Sequence, residues 1–339
     1  MFPRGLELDY LAALEAEIAA TEWPWTPETV YLGGGTPSAM PPEQLAAILA
    51  RIPGRPWREA TIEAAPGSLT APLIEAWRAA GLNRVSLGVQ SFVDRELRRT
   101  GRKHNAAMVE ADAALLRAHG FENISVDLIA GLPGQTAAGW RESLARVAEL
   151  GAPHVSVYML EVDEDSRLGR EMLLGGLRYG AGDVPGENEI VAFYEEAVES
   201  LRAQGLARYE ISNFARPGYE SRHNLKYWRR EPYFGFGADA HSFDGEWRWQ
   251  NVESPAAYAA RAPRGERTRA EAQEERFFVG LRLSEGVAPS PADWRRYREP
   301  LSRFLAEGLL ERAGERLRLT PRGILLSNEV FEEFIAPCP

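Results

Sequence analysis

Four amphipathic segments that end at a glycine, each followed within a few residues by a β-rich run, constrain the fold of this chain most. The glycines are Gly81, Gly120, Gly151 and Gly205, and the β-rich runs that follow are 84–89, 124–131, 154–160 and 207–212. Glycine just past a helix adopts the left-handed conformation that ends it, and a short connection then leads into the next strand. With two further strand-like runs at 29–33 and 60–65, this alternation predicts a parallel α/β fold, either a barrel or a doubly wound sheet.

A glycine tract follows the first of these strands. Gly33, Gly34, Gly35 and Thr36 stand at the end of the run 29–33. Glycines let the backbone turn sharply, and they leave its N–H and C=O groups open to a ligand. Taken alone, three glycines are equally compatible with a plain tight turn. A phosphate-binding P-loop is disfavoured, because no Gly-Lys-Ser/Thr follows.

Polar side chains also occur in or near the ends of the next three strands. They are Glu63, Gln90 and Asp127. In parallel α/β folds, ligands bind at the carboxyl ends of the strands. A charge inside an apolar strand is costly unless it is paired or bound to something. Each residue alone could be a structural hydrogen-bonding group, but together they predict a ligand site at this edge of the sheet.

A second candidate site lies in the segment "SRHNLKYWRREPYFGFGADAHSF", residues 221–243. If this segment is helical, His223 and Tyr227 are four residues apart and share one face with Asn224 beside them. A histidine among aromatic rings can bind a flat apolar cofactor and ligate its iron. A hydrogen-bonded core histidine is the alternative. Arg102, in "GRKHNAA", follows the strand that carries Gln90. Taken alone, it could be an ordinary surface charge.

Composition limits the classes of function. The 339 residues are 45% hydrophobic and 26% charged, as in ordinary soluble proteins, and no apolar run is long enough to span a bilayer. The net charge of -10 argues against a nucleic-acid partner. The first residues lack a signal-peptide pattern, so we expect a cytoplasmic protein. The single cysteine, Cys338, excludes a disulfide framework and a cysteine-built metal site within this chain.

The sequence predicts two domains. Residues 1–255 are predicted to form the α/β part and its extension, with a Gly-rich loop at about 170–190. After a connection at 255–270, helices around a short hairpin are expected. Residues 256–339 are therefore predicted to form a small winged-helix-like domain.

Six stretches resemble one known family in order and spacing. They are "YLGGGTPSAM", "IEAAPGSLT", "RVSLGVQSFVDRELRRTGRKH", "VDLIAGLPGQT", "YEISNFARPGYESRHNLKYW" and "GFGADAHSF". Together they are similar to the anaerobic coproporphyrinogen III oxidase family of the radical S-adenosylmethionine (SAM) superfamily. The element His223-Asn224-x-x-Tyr227 resembles the heme chaperone branch of that family. The resemblance implies a partial (β/α)6 barrel that lacks its first strand, followed by the winged-helix-like domain.

The resemblance also implies cofactors and partners. SAM is expected to contact Gly34, Gly35, Thr36, Glu63, Gln90, Arg102 and Asp127. Heme is expected to bind His223 through its iron, with Asn224 and Tyr227 shaping the site. The heme chaperone branch hands heme to respiratory proteins, so a heme-acceptor protein is the expected partner.

One departure from the family pattern is large. The family's Cys-x3-Cys-x2-Cys motif, which ligates a [4Fe-4S] cluster, is absent, and Cys338 cannot replace three thiolates. Without the cluster, this chain as written cannot cleave SAM reductively. The amphipathic segment 7–20 has no strand before it, which favours an N-terminally truncated chain over a natural cluster-free relative. Two other functions stay open, an oxygen-independent coproporphyrinogen III oxidase and a cluster-free heme-binding protein.

Overall fold

The computed structural model describes residues 4–161 and 178–335. The helices within these residues are α1 Arg4–Ala20, α2 Pro42–Ala50, α3 Ala71–Ala79, α4 Asp94–Arg99, α5 Ala106–Ala118, α6 Ala137–Leu150, α7 Glu187–Ala203, α8 Arg222–Trp228, α9 Pro255–Ala259, α10 Ala272–Gly280, α11 Pro291–Arg296, α12 Arg298–Ala306, α13 Pro321–Leu325 and α14 Ser327–Glu332. Short 3-10 helices span Pro37–Ala39 and Arg178–Asp183.

The strands follow the same order along the chain. They are β1 Thr29–Leu32, β2 Glu59–Ala64, β3 Arg84–Gln90, β4 Asn123–Ala130, β5 His154–Met159, β6 Ala207–Arg208, β7 Asn213–Ala215, β8 His241–Phe243, β9 Trp247–Gln250, β10 Thr268–Arg269, β11 Leu310–Ala313 and β12 Arg316–Leu319. The predicted alternation of helices and strands is confirmed from β1 to β5. The four glycines predicted to end helices all have positive φ, and Gly151 caps α6 at φ 67°.

A seven-stranded sheet carries the first candidate site. Its strand order is β1-β2-β3-β4-β5-β7-β6, with β1 to β5 parallel. The predicted all-parallel arrangement is wrong at one edge, because β7 pairs antiparallel with both β5 and β6. The single strand predicted at 207–212 is instead the two-residue β6 and a turn into β7. A turn this short returns the chain beside itself, and an antiparallel pair is the outcome.

The two faces of this sheet differ in chemistry. Alternate residues of a strand point to opposite faces. One face is apolar and at most 1% exposed, and it carries Ile62, Val85, Leu87, Ile124, Val126, Leu128, Val155 and Val157. The other is polar, and we call it the polar face; it carries Thr61, Glu63, Arg84, Ser86, Asn123, Ser125, Asp127, His154 and Ser156. Parallel sheets are usually apolar on both faces, so a polar face indicates a surface that contacts water or a ligand.

The chain divides into two compact units, and each is described by itself. The sheet unit comprises residues 29–42 and 57–220. The second unit comprises the described parts of 1–28, 43–56 and 221–339. In the second unit, Glu17 of α1 accepts hydrogen bonds from Asn251 Nδ2 at 2.9 Å and from Arg264 Nη2 at 2.7 Å. The boundary predicted at residue 255 separates two domains, not these two compact units, and it stays a prediction.

The C-terminal part has the predicted kinds of element. Helices α10 to α14 accompany the antiparallel hairpin of β11 and β12. The stretch 255–270, expected to be a plain connection, contains α9 and β10, and Ser254 caps α9 by accepting from the Ala257 N–H. Most of the predicted Gly-rich loop at 170–190 lies outside the described residues. Its described end holds a 3-10 helix and the start of α7.

Among the residues that the structure describes, no helix is both long and apolar enough to cross a membrane.

Candidate functional site

The glycine tract forms an exposed loop at the end of β1. Gly34 has φ 79° and Gly35 has φ 59°, conformations that side chains rarely adopt. A Cβ added at either glycine would meet no atom within 4 Å. Conformation therefore requires glycine at both positions, and the space beside the loop is open to a ligand.

Tyr31 and Glu63 fasten this loop to the sheet. The Tyr31 hydroxyl donates to Glu63 Oε1 at 2.7 Å, and the Gly34 N–H donates to Glu63 Oε2 at 3.3 Å. A Cβ at Gly33 would stand 2.7 Å from Tyr31 Cε1 and 3.0 Å from Glu63 Oε1. A side chain at position 33 would therefore collide with the contact between Tyr31 and Glu63. Glu63 is the predicted site residue that the structure joins directly to the loop.

Asp127 lies on the polar face, near enough to Glu63 for the two charges to interact. Ser86 Oγ donates to Asp127 Oδ2 at 3.2 Å, and the Ser156 hydroxyl also donates to this carboxylate. Burial raises the pKa of Asp127 to about 6, and the Glu63 charge adds to that rise. The two serines and the Arg84 charge work in the opposite direction. The Asp127 carboxyl therefore titrates above the range of a free aspartate and is mostly ionised at neutral pH.

Gln90 ends β3 with an unusual backbone. Its φ is 69°, which is uncommon for a residue other than glycine and clusters at functional sites. It pairs with Leu128, directly after Asp127, at a point where the register of β3 and β4 shifts. Just before it, the Val89 carbonyl lies 3.0 Å from Nε2 of the buried His104. The neighbouring structure holds Gln90 at the carboxyl edge, as predicted from the sequence.

Arg102 and Thr36 are connected less directly to the other predicted site residues. Arg102 lies between α4 and α5 with an exposed side chain, and its backbone N–H donates to the Leu97 carbonyl. Within residues 4–161 and 178–335, no hydrogen bond or ion pair joins its guanidinium to another predicted site residue. Thr36 is exposed directly after the glycines. Their roles stay predictions.

Several polar-face residues were not singled out from the sequence. Tyr31, Arg84, Ser86, His154 and Ser156 all share this face or its edge. The sequence does carry a signal for this polar face, the period-two alternation of polar and apolar residues. It occurs in "TIEA", "RVSLGVQ", "ISVDLIA" and "HVSVYM". Those strands were instead interpreted as apolar with isolated charges.

The second candidate site is the short helix α8. Ser221 caps its start by accepting from the Asn224 N–H at 3.3 Å. As the helical spacing predicts, His223 and Tyr227 share one face, with His223 Nε2 2.8 Å from the Tyr227 hydroxyl. The Tyr233 ring stands perpendicular to Tyr227 at 4.6 Å, and burial raises the pKa of the Tyr227 phenol. The imidazole therefore stands edge to face with the Tyr227 ring at 5.1 Å, and Tyr227 is in a position to orient it.

The residues do not fit an iron–sulfur cluster. The described residues hold no group of three or more His, Cys, Asp or Glu side chains that could bind a metal ion. The chain's single cysteine, Cys338, lies outside the described residues. A [4Fe-4S] cluster needs thiolates that this chain does not have.

Comparison with known families and structures gives consistent matches. Residues 3–147 match the radical SAM superfamily model, and residues 268–326 match the HemN C-terminal domain model. The heme chaperone HemW of Bacillus subtilis is 37% identical over 96% of this chain and 91% of its own length. HemW of Lactococcus lactis is 34% identical over 91% of this chain and 84% of its own length. The Escherichia coli coproporphyrinogen III oxidase HemN, a radical SAM enzyme, superposes with a TM-score of 0.81 over 99% of this chain and 85% of its own, at 21% identity. That last match shows a shared fold.

Proposed function

This chain belongs to the radical SAM superfamily, in the HemN-like family that includes the HemW heme chaperones, and on that premise we propose that it binds heme and passes it to an acceptor protein. The observation that carries the proposal is the pair His223 and Tyr227 on one face of α8. Relatives at this level of identity are heme chaperones by name. A respiratory protein in the cytoplasm or facing it is the acceptor that we propose.

In this proposal His223 ligates the heme iron. A neutral imidazole nitrogen is a common axial ligand of heme. The Tyr227 hydroxyl, 2.8 Å from Nε2, orients the ring, since a hydrogen-bonded partner fixes which nitrogen faces the iron. Asn224 follows His223 at the capped start of α8, where its amide shapes the entrance to the site.

We further propose that SAM binds at the carboxyl edge of the sheet. Gly34, Gly35 and Thr36 would receive its methionine end on exposed backbone groups. Glu63, Gln90, Arg102 and Asp127 would complete the site. SAM brings a sulfonium cation and a methionine ammonium group, and the Glu63 and Asp127 carboxylates suit both charges. Because the chain lacks cluster cysteines, we derive no radical step, and SAM acts in this proposal as a bound ligand.

Two finer structural assignments belong to the same proposal. The five parallel strands would correspond to a partial (β/α)6 barrel, supported by the superposition on HemN. Residues 256–339 would form a winged-helix-like domain, supported by the β11–β12 hairpin with helices on either side.

Replacing His223 with alanine tests the heme assignment. We expect at least tenfold weaker binding of hemin and a shifted Soret band, because the iron loses its protein ligand. His241→Ala is the matched control, since His241 is an exposed histidine of the same motif segment. Absorbance titration of both variants measures the effect. An unchanged affinity and spectrum for His223→Ala would remove the assignment. Turnover of coproporphyrinogen III by a protein with the cluster cysteines restored would favour an oxidase instead.

Gly34→Ala tests the SAM assignment. The alanine must keep a left-handed conformation, at a cost of about 1–2 kcal/mol, and its methyl enters the open space beside the loop. We expect SAM affinity to fall at least tenfold in calorimetry. Gly218→Ala carries the same strain at φ 89°, also with no atom within 4 Å of its Cβ, and we expect it to bind SAM normally. Equal SAM affinities for the two variants would refute a ligand role for the glycine loop.

A further inference from the structure

We propose that Glu96 is a positioning residue of the SAM site, which fixes Gln90 by holding the backbone that follows it. This inference rests on the SAM site proposed above, and it gives a role to a residue outside that site. Glu96 belongs to α4, the first helix after β3. Its side chain is fully buried, at 0% exposed, and it lies within the sheet unit.

The side chain of Gln90 reaches the polar face through an unusual backbone conformation. Gly88 follows Ser86 by two positions and shares its face, and a Cβ placed on Gly88 would stand 3.3 Å from Gln90 Nε2. The amide of Gln90 therefore lies over Gly88, where the absence of a side chain leaves room for it. This placement depends on the φ of Gln90, 69°, which is strained for a residue with a side chain. Such a conformation persists only where the surrounding structure holds it.

Glu96 holds the residue that follows Gln90. Ser91 Oγ donates to Glu96 Oε2 at 2.7 Å, and Ser91 is also 0% exposed. Ser91 Oγ in turn accepts from the Val93 N–H at 2.9 Å, and the Ser91 N–H donates to the Val89 carbonyl at 2.9 Å. The backbone directly after Gln90 is therefore fixed both by the Ser91 N–H and by the Ser91 side chain, and the side chain is oriented by Glu96.

The same carboxylate is joined to the loop after β4. Gln135 Nε2 donates to the Ile129 carbonyl at 3.1 Å and lies 3.5 Å from Glu96 Oε2. Gln135 Oε1 accepts from the N–H groups of Gly131 at 2.6 Å and Leu132 at 3.3 Å. Through Gln135, Glu96 therefore connects the loops that follow β3 and β4, two neighbouring strands whose carboxyl ends carry the proposed SAM site.

A buried carboxyl group is unfavourable in itself, so its surroundings indicate what it does here. Burial raises the pKa of Glu96, and the hydrogen bonds from Ser91 and Gln135 work in the opposite direction. Glu96 Oε1 has no hydrogen-bond partner and lies against the first turn of α6, since a Cβ placed on Gly139 would stand 2.5 Å from it. The positive end of a helix favours negative charge at that point. The site is thus built around an acceptor for two donors, which an apolar side chain of similar size cannot replace.

Glu96→Leu should weaken SAM binding about tenfold, because leucine fills the space but releases both Ser91 and Gln135. Glu96→Gln should bind SAM within about twofold of the unaltered chain, since its amide oxygen can accept from both donors. Calorimetry measures the affinities, and circular dichroism shows that each variant is folded at the temperature used. Glu122→Leu, at an exposed glutamate just before β4, is the matched control and should bind SAM normally.

A double-mutant cycle separates positioning from a general structural role. Gln90→Ala should itself weaken SAM binding, and adding Glu96→Leu should then have little further effect, because Glu96 acts through Gln90. Two losses of affinity that simply add would overturn the proposal. If Glu96→Leu does not fold, Ser91→Ala breaks the same link with a smaller change. We expect it to weaken SAM binding as well, and an unchanged SAM affinity would overturn the proposal.

The same measurements distinguish this inference from the SAM proposal. If the unaltered chain does not bind SAM, both are refuted. If it binds SAM and Glu96→Leu binds equally well, only the role of Glu96 is refuted. Hemin affinity should be the same in every variant, since His223 belongs to the other compact unit. A parallel loss of hemin affinity would indicate a general loss of structure and would refute the positioning role.

Discussion

Asp127→Asn should stabilise the protein at pH 7.5 by up to about 3 kcal/mol. Burial raises the pKa of Asp127 from 3.8 to about 6, so holding this carboxylate ionised in the folded state is unfavourable. One pKa unit corresponds to about 1.4 kcal/mol, and the shift is about two units. Asparagine has nearly the same shape and still accepts from Ser86 and Ser156, but it carries no charge.

The direction of the pH dependence follows from the same shift. Between pH 3.8 and about 6, the folded state binds the Asp127 proton more tightly than the unfolded state does. The contribution of Asp127 to stability is therefore complete below about pH 4, falls as pH rises to about 6, and is constant above that. We expect the Asn variant to match the unaltered protein near pH 4 and to exceed it above pH 6.

Urea unfolding of the two proteins at pH 4, 5, 6 and 7.5 measures this prediction. Asp9→Asn is the control, because Asp9 is exposed on α1 and its replacement should change stability by less than about 0.5 kcal/mol. A variant that is less stable than the unaltered protein at pH 7.5 would contradict the prediction. In that case the hydrogen bonds to the charged form would outweigh the burial of the charge.

Trp140→Ala should cost about 3–5 kcal/mol, the usual range for removing a buried large side chain. Trp140 of α6 is fully buried, and its Nε1 donates to the Phe193 carbonyl of α7 at 2.7 Å. Its ring also lies 6.2 Å from the Phe193 ring. The cavity left by alanine would lie between these two helices of the sheet unit.

Trp140→Phe separates volume from hydrogen bonding. Phenylalanine fills most of the space but cannot donate, so we expect a smaller cost of about 1–2 kcal/mol. Trp247→Ala is the exposed control; Trp247 is 37% exposed, and its loss should cost less than about 1 kcal/mol. Chemical unfolding of the three variants provides the comparison. A cost below 1 kcal/mol for Trp140→Ala would show that α6 and α7 do not depend on this contact.

The predictions that succeeded rest on local chemistry. A glycine after an amphipathic segment ends a helix through its own backbone, so Gly81, Gly120, Gly151 and Gly205 could be interpreted without knowing the rest of the chain. The spacing of His223 and Tyr227 depends only on the helical repeat.

The predictions that failed, and the residues that were missed, depend on distant parts of the chain. The antiparallel pairing of β7 with β5 joins residues about sixty positions apart, and no local pattern specifies it. The burial of Arg84 on the polar face could not be recognised, because its neighbours come from β2 and β4, which are distant in the sequence. The positive φ of Gln90 is likewise imposed by its neighbours in the sheet.

The amino-acid sequence by itself determined the order of helices and strands from β1 to β5, the glycine loop after β1 and the family to which the chain belongs. These features depend on short-range backbone preferences and on the residue types at fixed spacing. The tertiary structure decided which side chains meet, including Tyr31 with Glu63 and the two serines Ser86 and Ser156 with Asp127. Strand register and burial arise only when distant segments pack together. The tertiary structure was therefore needed to show that one face of the sheet is a candidate binding surface.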